Sequence, residues 1–156
     1  MQQKSDIPTA IADTSCLILL DNISKLDILF QLFGQVTTTS VVADEFGKPL
    51  PEWILIKEVP DIHRQQALEL EIDKGEASVI ALSFEYPRSL LILDDAKARR
   101  VAAQLHLLYT GTMGIILKAK QAGIIPSVQS IMKMIQGTNF RFSEKVLLQI
   151  LADAGE

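Results

Sequence analysis

The sequence predicts an α/β fold built on a parallel sheet, and two observations carry that prediction. Short β-prone apolar runs alternate with helix-like stretches along most of the 156 residues. One run, Leu90-Leu91-Ile92-Leu93, is apolar at every position, as expected for a strand covered on both faces rather than one.

Taken in order, residues 10–12 form a first strand that stops at Asp13, and the apolar stretch that follows to about residue 32 is helical, with a break marked by Asn22 and Ser24. Residues 35–37 are β-prone, and Ser40 is placed to cap a short helix carrying Val41, Val42, Glu45 and Phe46, which Gly47 and Pro49 end. Residues 53–59 alternate as a strand. Asp61 is placed to cap a helix running to about Asp73, and Gly75 divides it from a second helix that Pro87 closes. The run at 90–93 ends on Asp94-Asp95; a helix over about 95–104, a strand at 107–109 and a helix over about 112–122 complete the alternation. From Ser127 onward the pattern is wholly helical, with Ile131, Met134, Ile135, Phe142, Val146, Leu147 and Ile150 at helical spacing. Core packing is the default use of that face, with a dimer seam or a partner groove as the other uses.

Composition narrows the class. A chain of 156 residues with 48% hydrophobic content suits one domain over 1–156, a core over about 10–122 and a helical tail over about 127–154, without disulfides. The single cysteine, Cys16, lies in the apolar run Cys16-Leu17-Ile18-Leu19-Leu20 and reads as a small core residue, in keeping with a reducing compartment. Residues 1–8 lack an export signal, and no apolar run approaches the roughly 20 residues that span a bilayer, so a soluble cytoplasmic protein is expected, with no membrane partner. A net charge of −4 argues against nucleic-acid binding by bulk positive charge.

Acidic positions carry the chemistry. Asp13 and the pair Asp94-Asp95 follow strand ends directly, and in open α/β sheets the binding crevice lies outside those ends. An acid there can also simply cap the next helix, where orphan amides and the macrodipole favour it. Two such sites in one sheet, one of them doubled, point beyond capping. Glu45 reads alone as an ordinary solvated helix acid, and Glu76, after Gly75, as an acid at a helix start.

Four stretches, in this order, resemble motifs of the PIN-domain family: Ala12-Asp13-Thr14-Ser15-Cys16-Leu17-Ile18, Val41-Val42-Ala43-Asp44-Glu45, Gly75-Glu76-Ala77-Ser78-Val79-Ile80-Ala81-Leu82 and Leu91-Ile92-Leu93-Asp94-Asp95-Ala96-Lys97-Ala98-Arg99. The resemblance covers about residues 10–120, and a subgroup pattern continues through Gly111-Thr112-Met113-Gly114-Ile115-Ile116-Leu117 and Ala122-Gly123-Ile124-Ile125-Pro126-Ser127 into the tail. That subgroup resembles VapC-like ribonuclease toxins of toxin–antitoxin pairs and nucleic-acid-binding proteins. The resemblance implies a three-layer α/β/α Rossmann-like fold with a central parallel sheet of four to five strands and a helical C-terminal extension. It also implies a homodimer, an RNA substrate, a cognate antitoxin protein, and an acidic site holding Mg²⁺ or Mn²⁺.

Carried over position by position, Asp13, Glu45, Glu76 and Asp95 match the family's four acids, with Asp94 competing for the last; Glu76 stands where aspartate is commoner. Asp13 and Asp95, or Asp94, would then hold the ion, with Glu45 and Glu76 holding it directly or through water and orienting the attacking water. Such an ion takes hard oxygen ligands, needs no histidine, and lowers the pKa of bound water. Thr14, Ser15 and Thr112 offer hydroxyls or amides to phosphate, with helix capping as the equal alternative. Lys97 and Arg100 offer charge to an RNA backbone, whereas Arg99 is expected to pair with Asp95 at i,i+4. Neither His63 nor His106 has a partner at metal-ligand spacing, and no hydrolase-serine motif occurs, which removes zinc and triad chemistry. A phosphorylated receiver would want a lysine ending a later strand, and His106 to Gly111 offers none. A catalytically silent PIN-fold binding module remains the alternative from another class.

Overall fold

Five strands, β1 (Thr9–Ala12), β2 (Val36–Thr39), β3 (Ile54–Lys57), β4 (Ser89–Ile92) and β5 (Tyr109–Thr110), form one parallel sheet ordered β3-β2-β1-β4-β5 in the computed structural model. The structure describes residues 7–156; the export-signal reading of residues 1–8 therefore lies, for residues 1–6, outside it. The helices are α1 (Thr14–Asn22), α2 (Asp27–Phe33), α3 (Ser40–Phe46), α4 (Ile62–Leu68), α5 (Lys74–Ser83), α6 (Ala96–Gln104), α7 (Thr112–Gln121), α8 (Val128–Gln136) and α9 (Glu144–Asp153). No helix among the described residues is long and apolar enough to cross a membrane.

The strand order sets the layers. From β1 the chain moves outward to β2 and β3, then returns across the sheet to β4 and β5. Right-handed crossovers therefore put α1 and α2 on one face and α4, α5 and α6 on the other, giving three layers. The helix α7 packs against α2 and carries α8 and α9 with it. The short α3 touches both α1 and α5, so it bridges the two helical layers. The reversal of direction falls between β1 and β4, whose register pairs Ala12 with Ile92 and so ends the two strands level with each other.

Burial follows the apolar pattern. Ala10, Ile11, Ala12, Leu91, Ile92 and Leu93 are wholly buried, as a sheet covered on both faces demands. The interior strand β2 instead buries Thr37, Thr38 and Thr39. The Thr38 hydroxyl donates to the Ala12 carbonyl at 2.7 Å, and the hydroxyls of Thr39 and Ser78 lie 2.7 Å apart in a hydrogen bond. Buried hydroxyls are tolerated when bonded in this way. Cys16 is a free, buried thiol, and burial, then the charge of Asp94, pushes it well above its ordinary pKa.

Several boundaries differ from the sequence reading, each for a local reason. Thr39, not Ser40, caps α3: its Oγ1 accepts the Val42 amide at 3.1 Å, while Ser40 donates to Glu58 at 2.9 Å. Asp61 caps α4 as expected, accepting the Arg64 amide at 3.0 Å, but the helix stops at Leu68 rather than near Asp73. A turn follows that buries Ile72, and α5 begins at Lys74, so Gly75 lies inside the helix instead of dividing two. The strand expected at 107–109 is β5, at Tyr109–Thr110, because the Leu107 amide is used to close α6, donating to the Ala102 carbonyl at 2.9 Å. The tail is two helices, with residues 137–143 forming a non-helical connector whose Phe140 and Phe142 pack on the core.

Candidate active site

The reversal between β1 and β4 is where an open α/β sheet presents its crevice, and Asp13 and Asp94 stand there. Asp13 occupies the N-cap position of α1 in extended backbone, φ −85° and ψ 168°, yet its side chain caps nothing. It is 4% exposed, and its Oδ1 is the buried side-chain oxygen left without a hydrogen bond among the described residues. Leaving such a group unsatisfied costs roughly 1–3 kcal/mol. Burial raises the Asp13 pKa from 3.8 to about 7; the Thr14 amide lowers it, and the carboxylates of Glu76, Glu45 and Asp94 raise it further.

Asp94 is held from across the sheet. The start of α7 gives it the Thr112 amide at 2.8 Å and the Thr112 hydroxyl at 2.5 Å. A Cβ on Gly111 would meet Asp94 Oδ1 at 2.9 Å, so the glycine makes room for the carboxylate. Thr112, expected near phosphate, is thereby wholly buried with its hydroxyl committed to Asp94.

The bridging helix brings Glu45. Its Oε2 accepts the Thr14 hydroxyl at 2.6 Å, which ties α3 to α1 and also commits Thr14. On the other side the Glu45 carboxylate lies against Gly75: a Cβ there would sit 2.7 Å from Oε2 and 2.9 Å from Oε1. Gly75 therefore lets an acid approach the first turn of α5, which explains a glycine inside a helix that would otherwise favour alanine. Glu76, the next residue, is half-buried in that turn; burial raises its pKa, with Asp73, Asp95 and Glu45 adding to the rise.

Asp95 points another way. It caps α6, accepting the Ala98 amide at 2.9 Å, and is exposed. Its charge is felt by Glu76, whereas that of Asp94 is felt by Asp13. Arg99 does not form the expected pair with Asp95; its guanidinium lies 5.3 Å from the Tyr109 ring centre and 3.8 Å from the Cβ position of Gly111. Lys97 and Arg100 are exposed on α6, and Ser15 is half-buried at the start of α1.

Together Asp13, Thr14, Ser15, Glu45 and Glu76 line a cavity of about 500 Å³, which Asp73, Lys74, Ile18 and Phe140 complete. Asp94 and Arg99 open instead on an adjoining groove of about 560 Å³. Sequence reasoning named the acids and missed Gly75 as the seat of Glu45, although a glycine directly before an acid in a helical stretch was the available signal. It also missed Phe140, for which no local signal exists, since it reaches the cavity from the far end of the chain.

The donor set can be tested against a hard divalent cation. Carboxylate oxygens are the ligands such an ion prefers, and the unpartnered, buried Asp13 Oδ1 lacks only a positive partner. Among the described residues no three His, Cys, Asp or Glu side chains already stand as a closed ligand set. Uncompensated carboxylates repel one another, so acids that hold an ion are expected to draw together only around its charge. In chemistry, this set of carboxylate oxygens suits a hard divalent cation.

Comparison with known proteins adds one finding: a family model described as PIN domain matches residues 9–156. No curated protein and no solved structure matches the chain.

Proposed function

The chain belongs to the PIN-domain family, a nuclease-type fold, and from that premise we propose that it is a divalent-metal-dependent endoribonuclease hydrolysing RNA phosphodiester bonds, acting in the cytoplasm as the toxin of a toxin–antitoxin pair. The observation that carries this reading is Asp13: a buried carboxyl at the sheet's reversal point, with one oxygen unpartnered and three further carboxylates acting on it. A structural aspartate would be capped or paired. The nuclease unit is the whole matched stretch, tail included, and it works as a homodimer opposed by a cognate antitoxin.

Asp13 and Asp94 would hold the ion from the ends of β1 and β4, with Asp95 as the exposed alternative to Asp94. Mg²⁺ or Mn²⁺ held there would supply charge to the scissile phosphate and lower the pKa of the attacking water. Glu45, fixed between Thr14 and Gly75, orients that water. Glu76, whose raised pKa makes it a better proton acceptor than an ordinary carboxylate, takes the water's proton as the new P–O bond forms and the leaving oxygen departs. Ser15, Lys97 and Arg100 are free to meet the flanking RNA.

Manganese-dependent cleavage of single-stranded RNA by the native chain, beside Asp13→Asn and Asp94→Asn, tests the proposal. Loss of cleavage in both variants is expected. Equal cleavage in all three proteins would mean the acids are not the catalytic centre, and no cleavage by the native chain with either ion would favour a silent binding module.

A further inference from the structure

The acidic cavity has one aromatic wall. Phe140, from the connector between α8 and α9, lines it together with Asp13, Thr14, Glu45 and Glu76. That connector is built rather than loose. Thr138 donates its hydroxyl to the Ile135 carbonyl at 2.6 Å and accepts the Phe140 amide at 3.2 Å, while Arg141 Nη1 donates to the carbonyls of Thr138 at 2.6 Å and Phe140 at 2.8 Å. The ring is half-buried, packed on the core on one side and open to the cavity on the other. A phenyl ring offers nothing to a cation held by carboxylates, nor to a phosphate, but its face can take a nucleobase.

The adjoining groove points the same way. It starts at Asp94 and is lined by Arg99 from α6 and by Arg141 and Phe142 from the connector. Arg141 uses one nitrogen to fix the loop, and its other donors have no partner among the described residues. In a chain of net charge −4, two guanidinium groups beside the carboxylates are the local positive charge that a phosphodiester chain requires.

We propose that the α8–α9 connector is the substrate-reading element of the site: Phe140 stacks on the base next to the scissile phosphate of a single-stranded RNA, and Arg141 with Arg99 receives the backbone leaving the cavity. This rests on the ribonuclease reading above. A half-open ring beside the reacting phosphate admits an unpaired base and excludes a base held in a duplex stack.

Cleavage kinetics with Mn²⁺ on a single-stranded RNA 12-mer, and on the same oligonucleotide carrying abasic residues, test the assignment in the native chain, Phe140→Leu and Phe140→Trp. Leucine keeps the apolar contact with the core and removes the π face, and thermal unfolding checks that both variants fold. Phe140→Leu is expected to raise KM about tenfold or more on the base-containing strand, in line with alanine-substitution losses at stacking positions. Phe140→Trp is expected to keep the native KM. On the abasic strand the native chain and Phe140→Leu should not differ. Native KM in a folded Phe140→Leu, with the native chain cutting the 12-mer, overturns the stacking assignment and leaves the ribonuclease reading standing. Absence of cleavage by the native chain overturns both.

Discussion

Replacing the central acid should stabilise the metal-free protein. In the folded chain Asp13 holds its proton up to about pH 7, against 3.8 as its ordinary value. A folded-state pKa above the unfolded one means that the group's share of stability is complete below the unfolded value and is lost as pH rises through the folded value. At about 1.36 kcal/mol per unit, the loss reaches about 4 kcal/mol above pH 7, with internal relaxation and water lowering it toward 2. The side-chain amide that Asp13→Asn introduces carries no charge and can donate to the carboxylates around it, so the variant escapes this loss. Urea unfolding in EDTA should therefore find Asp13→Asn more stable than the native chain by about 2–4 kcal/mol at pH 8, and by under about 1 kcal/mol at pH 4, with unchanged m-values. An advantage of equal size at both pH values, or a variant weaker than the native chain at pH 8, would refute the buried-charge argument.

Added Mn²⁺ should reverse that order: at a hundredfold excess over Kd the native chain gains about 2.7 kcal/mol while Asp13→Asn gains little, read as a thermal shift. Because the ion must displace the Asp13 proton, the apparent Mn²⁺ affinity of the native chain should rise with pH up to about 7 and then level off, measured by calorimetry at fixed ionic strength. Gly75→Ala puts a methyl group 2.7 Å from Glu45 Oε2, so the flexible carboxylate must move. Cleavage should fall by about a hundredfold while stability stays within about 1 kcal/mol, since alanine suits the helix and only a side-chain end is displaced. Thr39→Val removes both the α3 cap and the bond to Ser78 at a fully buried position, and should cost about 1–3 kcal/mol in chemical denaturation.

Legibility in the sequence followed the range of the forces involved. Leu90-Leu91-Ile92-Leu93 announces a two-sided strand because burial on both faces leaves no polar position, and Asp13 and the pair Asp94-Asp95 stand out because a strand end is visible in one dimension. Which hydroxyl caps α3 was not readable, since Thr39 and Ser40 are neighbours and only the helix phase chooses between them. Asp95 shows the deeper ambiguity: whether an aspartate at a strand end caps the next helix is not readable in one dimension, and here Asp95 caps α6 while Asp13 caps nothing. Gly75 looked like a divider because a glycine's need for close approach appears only when Glu45 arrives from thirty residues away. Phe140 was invisible for the same reason, at greater distance.

The bridging position of α3 bears on when, during synthesis, the acidic site can first assemble. Glu45 is seated only when α1 and α5 are both docked, Asp13 gains its neighbour only when β4 slots in beside β1, and Asp94 is steadied only by Thr112. A ribosome must therefore release more than a hundred residues before the acidic cavity can be complete.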